Sequence, residues 1–151
     1  DGALARQGKV DEASVERLLA HPYFSRRPPK SLDRDEFADL VPQHLSPADG
    51  AATLTAMTVA AVRHAAEHFP APPKRWLVSG GGRHNPALMA ALSRALGDVA
   101  PVEAAGWDGD ALEAQAFGYL AVRSVLGLPL SLPGTTGVTR PVTGGRSFSA
   151  R

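Results

Sequence analysis

Residues 79–85, Ser-Gly-Gly-Gly-Arg-His-Asn, hold the pattern in this chain best suited to chemistry. Gly80, Gly81 and Gly82 follow a short apolar run and stand just ahead of a helix start. Glycine has no Cβ, so a ligand can approach the backbone closely there. Backbone N–H groups and the positive end of a helix dipole favour an anionic group at such a point, a phosphate above all. Asn85 is the only asparagine in the sequence and a good N-cap. Pro86 suits the first helical position, where a missing N–H costs nothing. The spacing departs from common phosphate loops. No Gly-Lys-Ser/Thr ends the run as in a Walker A loop, and Asn85 stands where the dinucleotide fingerprint has its third glycine. Spacing alone leaves two readings, a phosphate or nucleotide cradle and a tight structural turn.

Other residues could carry different chemistry. His64-Ala65-Ala66-Glu67-His68 matches the H-x-x-E-H pattern of inverted zinc peptidases, with two histidines on one side of a helix and Glu67 as base. The pattern lies in the last turn before Pro70 and mostly opposite the apolar face, which is the place of a solvated helix end. A zinc peptidase acting through His64, Glu67 and His68 is therefore the weaker alternative. After the capping Asp110, Glu113 and Arg123 are the only charges in the otherwise apolar helix that runs to 126. A carboxylate in a buried helix needs a partner, though one in a first turn is also favoured by the dipole. Asp108 and Asp110 flank Gly109, as loop metal ligands or, more simply, as caps and turn formers. Arg26, Arg27 and Lys30 could clamp phosphate or merely decorate a surface loop. The chain has no cysteine, hence no disulfide, thiolate metal site or thiol nucleophile.

The elements that must position these residues are legible from periodicity. Asp11 caps a helix with Val15, Leu18 and Leu19 on one face, ending near His21-Pro22. Residues 22–45 read as an ordered surface loop with a helical turn, or as a mobile lid. Ser46-Pro47-Ala48-Asp49 starts a helix running to about Phe69, with Leu54, Thr58, Ala61, Val62, Ala65 and Phe69 on its apolar face. Pro70, Pro72 and Pro73 end it. Arg75–Ser79 reads as a strand buried through Trp76, Leu77 and Val78. A helix from Pro86 follows, with Leu88, Met89, Leu92 and Leu96 recurring and Gly97 closing it. Val99–Ala105 is a second strand, and Asp110 caps a helix to about Leu126 that is apolar nearly all round and so belongs between layers. The tail from Leu128 suggests turns around a short strand. Alternation of helix and strand gives an α/β class with parallel strands. Two strands do not make a stable sheet, so others must come from upstream residues or a partner chain.

Composition narrows the class further. A length of 151 residues suits about one domain, and 44% hydrophobic residues can form a core. With 16 basic and 15 acidic residues the net charge is +1, too weak a field to point to nucleic acid. No run of eighteen apolar residues marks a membrane span, and a soluble cytoplasmic protein is the default expectation.

Three motifs together resemble a known family. Ser79-Gly80-Gly81-Gly82-Arg83-His84-Asn85-Pro86-Ala87-Leu88-Met89 resembles the Gly-Gly-Gly-x-His-Asn-Pro-x-Leu-Met signature of anhydro-N-acetylmuramic acid kinases, with Ser79 where cysteine is common and Arg83 where a small residue is common. Asp110–Ala121 is similar to that family's Asp-Ala-x-Glu-Ala-x-Ala-Phe-x-x-Leu-Ala helix, and Leu132-Pro133-Gly134-Thr135-Thr136-Gly137 to its C-terminal segment. The opening Asp1-Gly2-Ala3-Leu4-Ala5 and the stretch from Pro22-Tyr23-Phe24 to Pro28-Pro29-Lys30-Ser31 match in the same order, so the likeness covers nearly the whole chain.

The resemblance implies a sugar-kinase/Hsp70/actin fold of two RNase H-like lobes with ATP between them. This chain would be part of the C-terminal lobe. Residues 1–48 would form an irregular, helical connecting region, and 49–151 the nucleotide-binding part. It implies ATP with Mg²⁺ as cofactors, an anhydro-amino-sugar substrate, the N-terminal lobe as partner, and a homodimer left open. The implied reaction opens 1,6-anhydro-N-acetylmuramic acid with water and phosphorylates O6, in bacterial peptidoglycan recycling. Gly80, Gly81, Gly82 and Asn85 would bind nucleotide, and Glu113 would face the cleft. The family's catalytic aspartate belongs to an Asp-x-Gly motif that does not occur in these residues, so it and most metal ligands are expected upstream of Asp1, and the segment alone is expected to be inactive. A non-catalytic nucleotide-binding or assembly lobe is the other reading.

Overall fold

The structure, a computed structural model, describes residues 2–148. It is an α/β arrangement of seven α-helices and one two-stranded parallel sheet among the described residues. Helix α1 spans Ala3–Gln7, α2 Glu12–Leu19 and α3 Pro22–Ser25. The long helix α4 covers Pro47–Ala65, and a 3₁₀ turn, Ala66–His68, carries it on. Its start is as read from the sequence. The Ser46 hydroxyl accepts the Asp49 N–H at 3.1 Å, Pro47 is the first residue, and Asp49 closes the first turn. The Asp49 carboxylate is held below its ordinary range, first by the Lys9 N–H it accepts at 2.7 Å and then by the Ser46 hydroxyl. Asp11 sits at the start of α2, but its carboxylate takes the Ser14 hydroxyl rather than a backbone N–H.

The core lies between α2, α3 and α4, where Val15, Leu18, Phe24 and Met57 are buried together. The segment 22–45 is packed against it. Phe24 stacks on Phe37 with ring centroids 5.8 Å apart, and Tyr23 meets both rings edge-on. The apolar face expected of α4 is rotated from the one that is buried. Ala52, Thr53 and Met57 point into the core, whereas Leu54 and Phe69 are exposed. The cause is tertiary: α1, α2 and α5 all pack on α4, and its small residues let them approach closely. Thr53, fully buried, uses its hydroxyl to accept the Asp11 N–H at 2.9 Å.

Strand β1, Trp76–Val78, pairs in parallel with β2, Val99–Pro101, in the register Trp76↔Val99, Leu77↔Ala100, Val78↔Pro101. Helix α5, Pro86–Leu96, connects them. The second strand is shorter than expected. From Val102 to Ala105 the chain is a 3₁₀ turn ended by Gly106 in the left-handed region, because Pro101 has no N–H to continue the ladder. The first strand is not buried, since Leu77 lies open on a sheet of only two strands.

Helix α6, Leu112–Val125, differs most from its expectation. None of its described residues is buried, and Phe117, Val122 and Val125 are 65%, 58% and 75% exposed. Helix α7, Pro133–Thr136, and a single antiparallel bridge between Ser131 and Val142 complete the tail. The accessible surface is 10636 Å², against roughly 7,300 Å² for a compact monomer of this mass. The apolar side chains that α6 leaves open contribute to that surface.

Candidate functional site at the glycine turn

The glycine turn is built by the end of β1 and the start of α5. Gly80 has φ 72° and ψ −178°, a backbone region that in practice only glycine occupies. Residues Gly81–His84 then make a 3₁₀ turn. Asn85 follows in extended conformation, and its Oδ1 accepts the N–H groups of Ala87 and Leu88 at 3.0 and 3.2 Å. Asn85 is thus the expected cap, and Pro86 is the first helical residue. All three glycines are exposed, and a Cβ built on Gly80 or Gly81 would meet nothing within 4 Å. Gly82 is closed on one side by Leu88.

The three backbone donors are not equivalent. The Gly80 N–H donates to the Gly109 carbonyl at 3.3 Å. Gly81 and Gly82 open the 3₁₀ turn, at positions whose N–H groups find no acceptor inside it. The sites read from the sequence are therefore brought together in one respect and sorted in another. Gly81 and Gly82 are exposed beside the capped helix, while Gly80 holds the positive-φ position that opens the turn.

Arg83 is the residue whose importance the sequence did not reveal. Its side chain is only 3% exposed, within a turn of exposed glycines. Nε donates to Glu103 Oε1 at 2.8 Å, and Nη1 donates to both the Gly80 carbonyl and Asp110 Oδ1 at 2.9 Å. Nη2 meets Asp110 Oδ2, also at 2.9 Å. The Asp110 carboxyl is held below its ordinary value, chiefly by the Arg83 hydrogen bond, and the guanidinium is raised in turn, chiefly by Asp110. Glu103 is lowered by its own backbone N–H first and by Arg83 second. Gly109 is buried beneath this group: a Cβ there would overlap Arg83 Nε, and its N–H donates to Glu103 Oε1 at 3.2 Å. The partners are 20 and 27 residues away in sequence, and no periodic signal links them.

The loop before α6 is corrected by the same geometry. Asp108, not Asp110, makes the turn, its Oδ1 accepting the N–H groups of Asp110 and Ala111 at 3.0 and 3.2 Å. Asp110 is free to face Arg83 because α6 begins later, at Leu112. Glu113 lies exposed in the first turn of α6, three residues beyond Asp110. The glycine turn and the helix bearing Glu113 are thus tied through one guanidinium.

The histidine motif is elsewhere and is arranged for packing. His64 Nε2 lies 3.3 Å from the Phe24 carbonyl and its ring meets Phe24 edge-on. His68 Nε2 is 3.4 Å from the Lys30 ammonium, and Glu67 pairs with His64 Nδ1 at 3.3 Å. Glu67 is exposed, as at a solvated helix end, while His64 and His68 lie half-buried against Phe24 and Lys30. Among the described residues no group of three or more His, Cys, Asp or Glu is placed to hold a metal ion. A cleft of about 1010 Å³ runs between α1, α2, α4 and α5, lined by Arg63, Val59, Ala90 and Arg94 among others, and the three glycines lie outside its walls. No helix among the described residues is long and apolar enough to cross a membrane.

Comparison with known proteins accounts for this combination. The family model described as anhydro-N-acetylmuramic acid kinase matches residues 1–150. The chain is 61% identical over 151 residues to an anhydro-N-acetylmuramic acid kinase of Rhodospirillum rubrum, covering 99% of this chain and 40% of that protein. It is 60% identical over 150 residues to that of Paramagnetospirillum magneticum, covering 97% and 42%. Against the Rhodopseudomonas palustris protein the identity is 52% over 147 residues, with 96% and 40% covered. The chain spans about 40% of the length of these curated relatives. With the glycine turn, the Asn85 cap and the α6 segment in the order already described, the chain belongs to the anhydro-N-acetylmuramic acid kinase family.

Proposed function

We propose that this chain is the nucleotide-binding, C-terminal part of an ATP-dependent kinase. The kinase opens 1,6-anhydro-N-acetylmuramic acid with water and yields N-acetylmuramic acid 6-phosphate, in the recycling of peptidoglycan in the bacterial cytoplasm. The observation that carries this reading is the exposed turn Gly80–Gly82. It places the Gly81 and Gly82 N–H groups, which have no acceptor inside the 3₁₀ turn, and open space at Gly80 and Gly81 beside the capped N-terminus of α5, in a member of this kinase family. Such a turn fits a phosphate group, since backbone donors and the helix dipole act together and no side chain stands in the way.

In this reading residues 49–151 form the nucleotide-binding part of an RNase H-like lobe, and residues 1–48 buttress it through α1 and α2. ATP supplies the phosphoryl group when bound. Gly81 and Gly82 hold its phosphate oxygens through N–H groups, Asn85 fixes the turn, and Glu113 faces the cleft from α6. The base that activates water, and most ligands of Mg²⁺, belong to the remainder of the longer protein. So do the strands that complete the sheet. The uncovered faces of β1 and α6 and the surface excess over a compact monomer support that division. Catalysis then rests on positioning and charge stabilisation across two lobes, of which this chain supplies one wall. The zinc peptidase reading is not favoured, because His68 Nε2 faces an ammonium and His64 is committed to the α3 seam.

The test compares the full-length protein with residues 1–151, each purified and supplied with ATP, Mg²⁺ and the anhydro sugar. Phosphorylated product from the full-length protein and none from the segment is the expected result. Absence of product from an intact full-length protein overturns the kinase reading. Turnover by the segment overturns the placement of the base outside it.

A further inference from the structure

We propose that Arg83 is the positioning residue of the nucleotide cradle, acting by fixing the orientation of the Gly80–Gly81 peptide. The inference rests on the nucleotide reading of the glycine turn and adds to it the residue that decides which way the turn's dipoles point.

The carbonyl of the Gly80–Gly81 peptide accepts the Arg83 backbone N–H at 3.2 Å, a bond that any residue at position 83 would keep, and two flanking glycines add little to hold it. Glycine reaches both halves of the backbone map, so such a peptide can turn over and exchange the positions of its carbonyl and N–H. In a trans peptide these two groups point in opposite directions. Arg83 Nη1 holds the Gly80 carbonyl inward at 2.9 Å. The Gly81 N–H of the same peptide is thereby turned away from Arg83, and the space beside both glycines is open, since a Cβ on Gly80 or Gly81 would meet no atom within 4 Å. The flipped peptide would present a carbonyl to the same space, and a carbonyl repels a phosphate.

The guanidinium is itself immobile. Glu103 takes Nε, Asp110 takes Nη1 and Nη2, and the side chain is 3% exposed. Gly109 supplies the remaining restraint, since its carbonyl accepts the Gly80 N–H and its N–H donates to Glu103. Any side chain at Gly109 would displace Arg83. With four of its five N–H groups directed at these acceptors, Arg83 serves the turn rather than the ligand. Because Asp110 stands two residues before α6, the same contact ties the turn to the helix carrying Glu113.

The test uses the full-length protein and two ligands, ATP and adenosine, titrated against wild type, Arg83→Lys, Arg83→Ala and Gly81→Val. Arg83→Lys keeps a positive charge beside Glu103 and Asp110 but cannot grip Asp110 with two nitrogens while holding the Gly80 carbonyl. The expected result is a rise of about tenfold in the ATP dissociation constant for Arg83→Lys and at least that for Arg83→Ala, the scale of one hydrogen bond to a charged group. Adenosine affinity stays unchanged. Should Arg83→Ala fail to fold, Arg83→Lys carries the test. Equal weakening of ATP and adenosine would mean a merely structural arginine and would overturn the inference, as would unchanged ATP affinity in both arginine variants while Gly81→Val weakens it. Unchanged ATP affinity in Gly81→Val overturns the nucleotide reading of the turn itself, and the proposal with it.

Discussion

At the scale of the residue, two side chains divide the work of the glycine turn. Asn85 satisfies two N–H groups at the start of α5 with one oxygen. Asn85→Ala should therefore cost about 1 kcal/mol in thermal unfolding of the full-length protein and weaken ATP binding measured by titration. Unchanged nucleotide affinity would reduce Asn85 to a cap. Arg83 couples the turn to acid as well as to geometry. Asp110 and Glu103 have folded values below their ordinary 3.8 and 4.5. A depressed carboxylate adds stability above its unfolded value and loses it as pH falls through the folded one. Stability should thus decline below about pH 4.5, and Asp110→Asn should make that decline shallower in an acid denaturation series. An equal slope in the variant would show that Asp110 is no part of the acid response.

At the scale of the element, α4 shows why a helical stripe read from sequence can be rotated. Its residues are mostly alanine, threonine and small aliphatics, so more than one face passes as apolar. The neighbours decide: α1, α2 and α5 fall on the side of Ala52, Thr53 and Met57. Met57→Ala is expected to cost about 2–5 kcal/mol, the range for a truncated core side chain. Thr53→Val leaves the Asp11 N–H without its oxygen and should cost about 1–3 kcal/mol. Chemical denaturation of the full-length protein measures both, and a loss below ~0.5 kcal/mol for Met57→Ala would contradict the core as described. The cap at Ser46 and the stop at Gly97 were legible beforehand because capping is local chemistry. The partnership of Arg83 with Glu103 and Asp110 was not, because it spans three loops.

At the scale of the whole molecule, the apolar helix α6 lies uncovered in a chain that spans about 40% of its relatives' length. An exposed phenylalanine on a lone surface could be removed at little cost, within about 0.5 kcal/mol. If the remainder of the longer protein packs on this face, Phe117→Ala in the full-length protein should instead cost about 3 kcal/mol or more. Thermal unfolding separates the two, and a negligible cost would leave the face open to solvent.

Local rules were enough to find the Gly80–Gly82 turn, the Asn85 cap, the start of α4 and the two strand segments, because each depends on residues a few positions apart. The family likeness was legible for the same reason, being carried by three contiguous motifs. Tertiary structure alone decided which face of α4 is buried and that Arg83 is enclosed while its neighbours are exposed. Those outcomes depend on what arrives from distant parts of the chain. In the glycine turn the two meet: sequence places glycines on both sides of one peptide, and its carbonyl is taken by the backbone N–H and the enclosed guanidinium of Arg83.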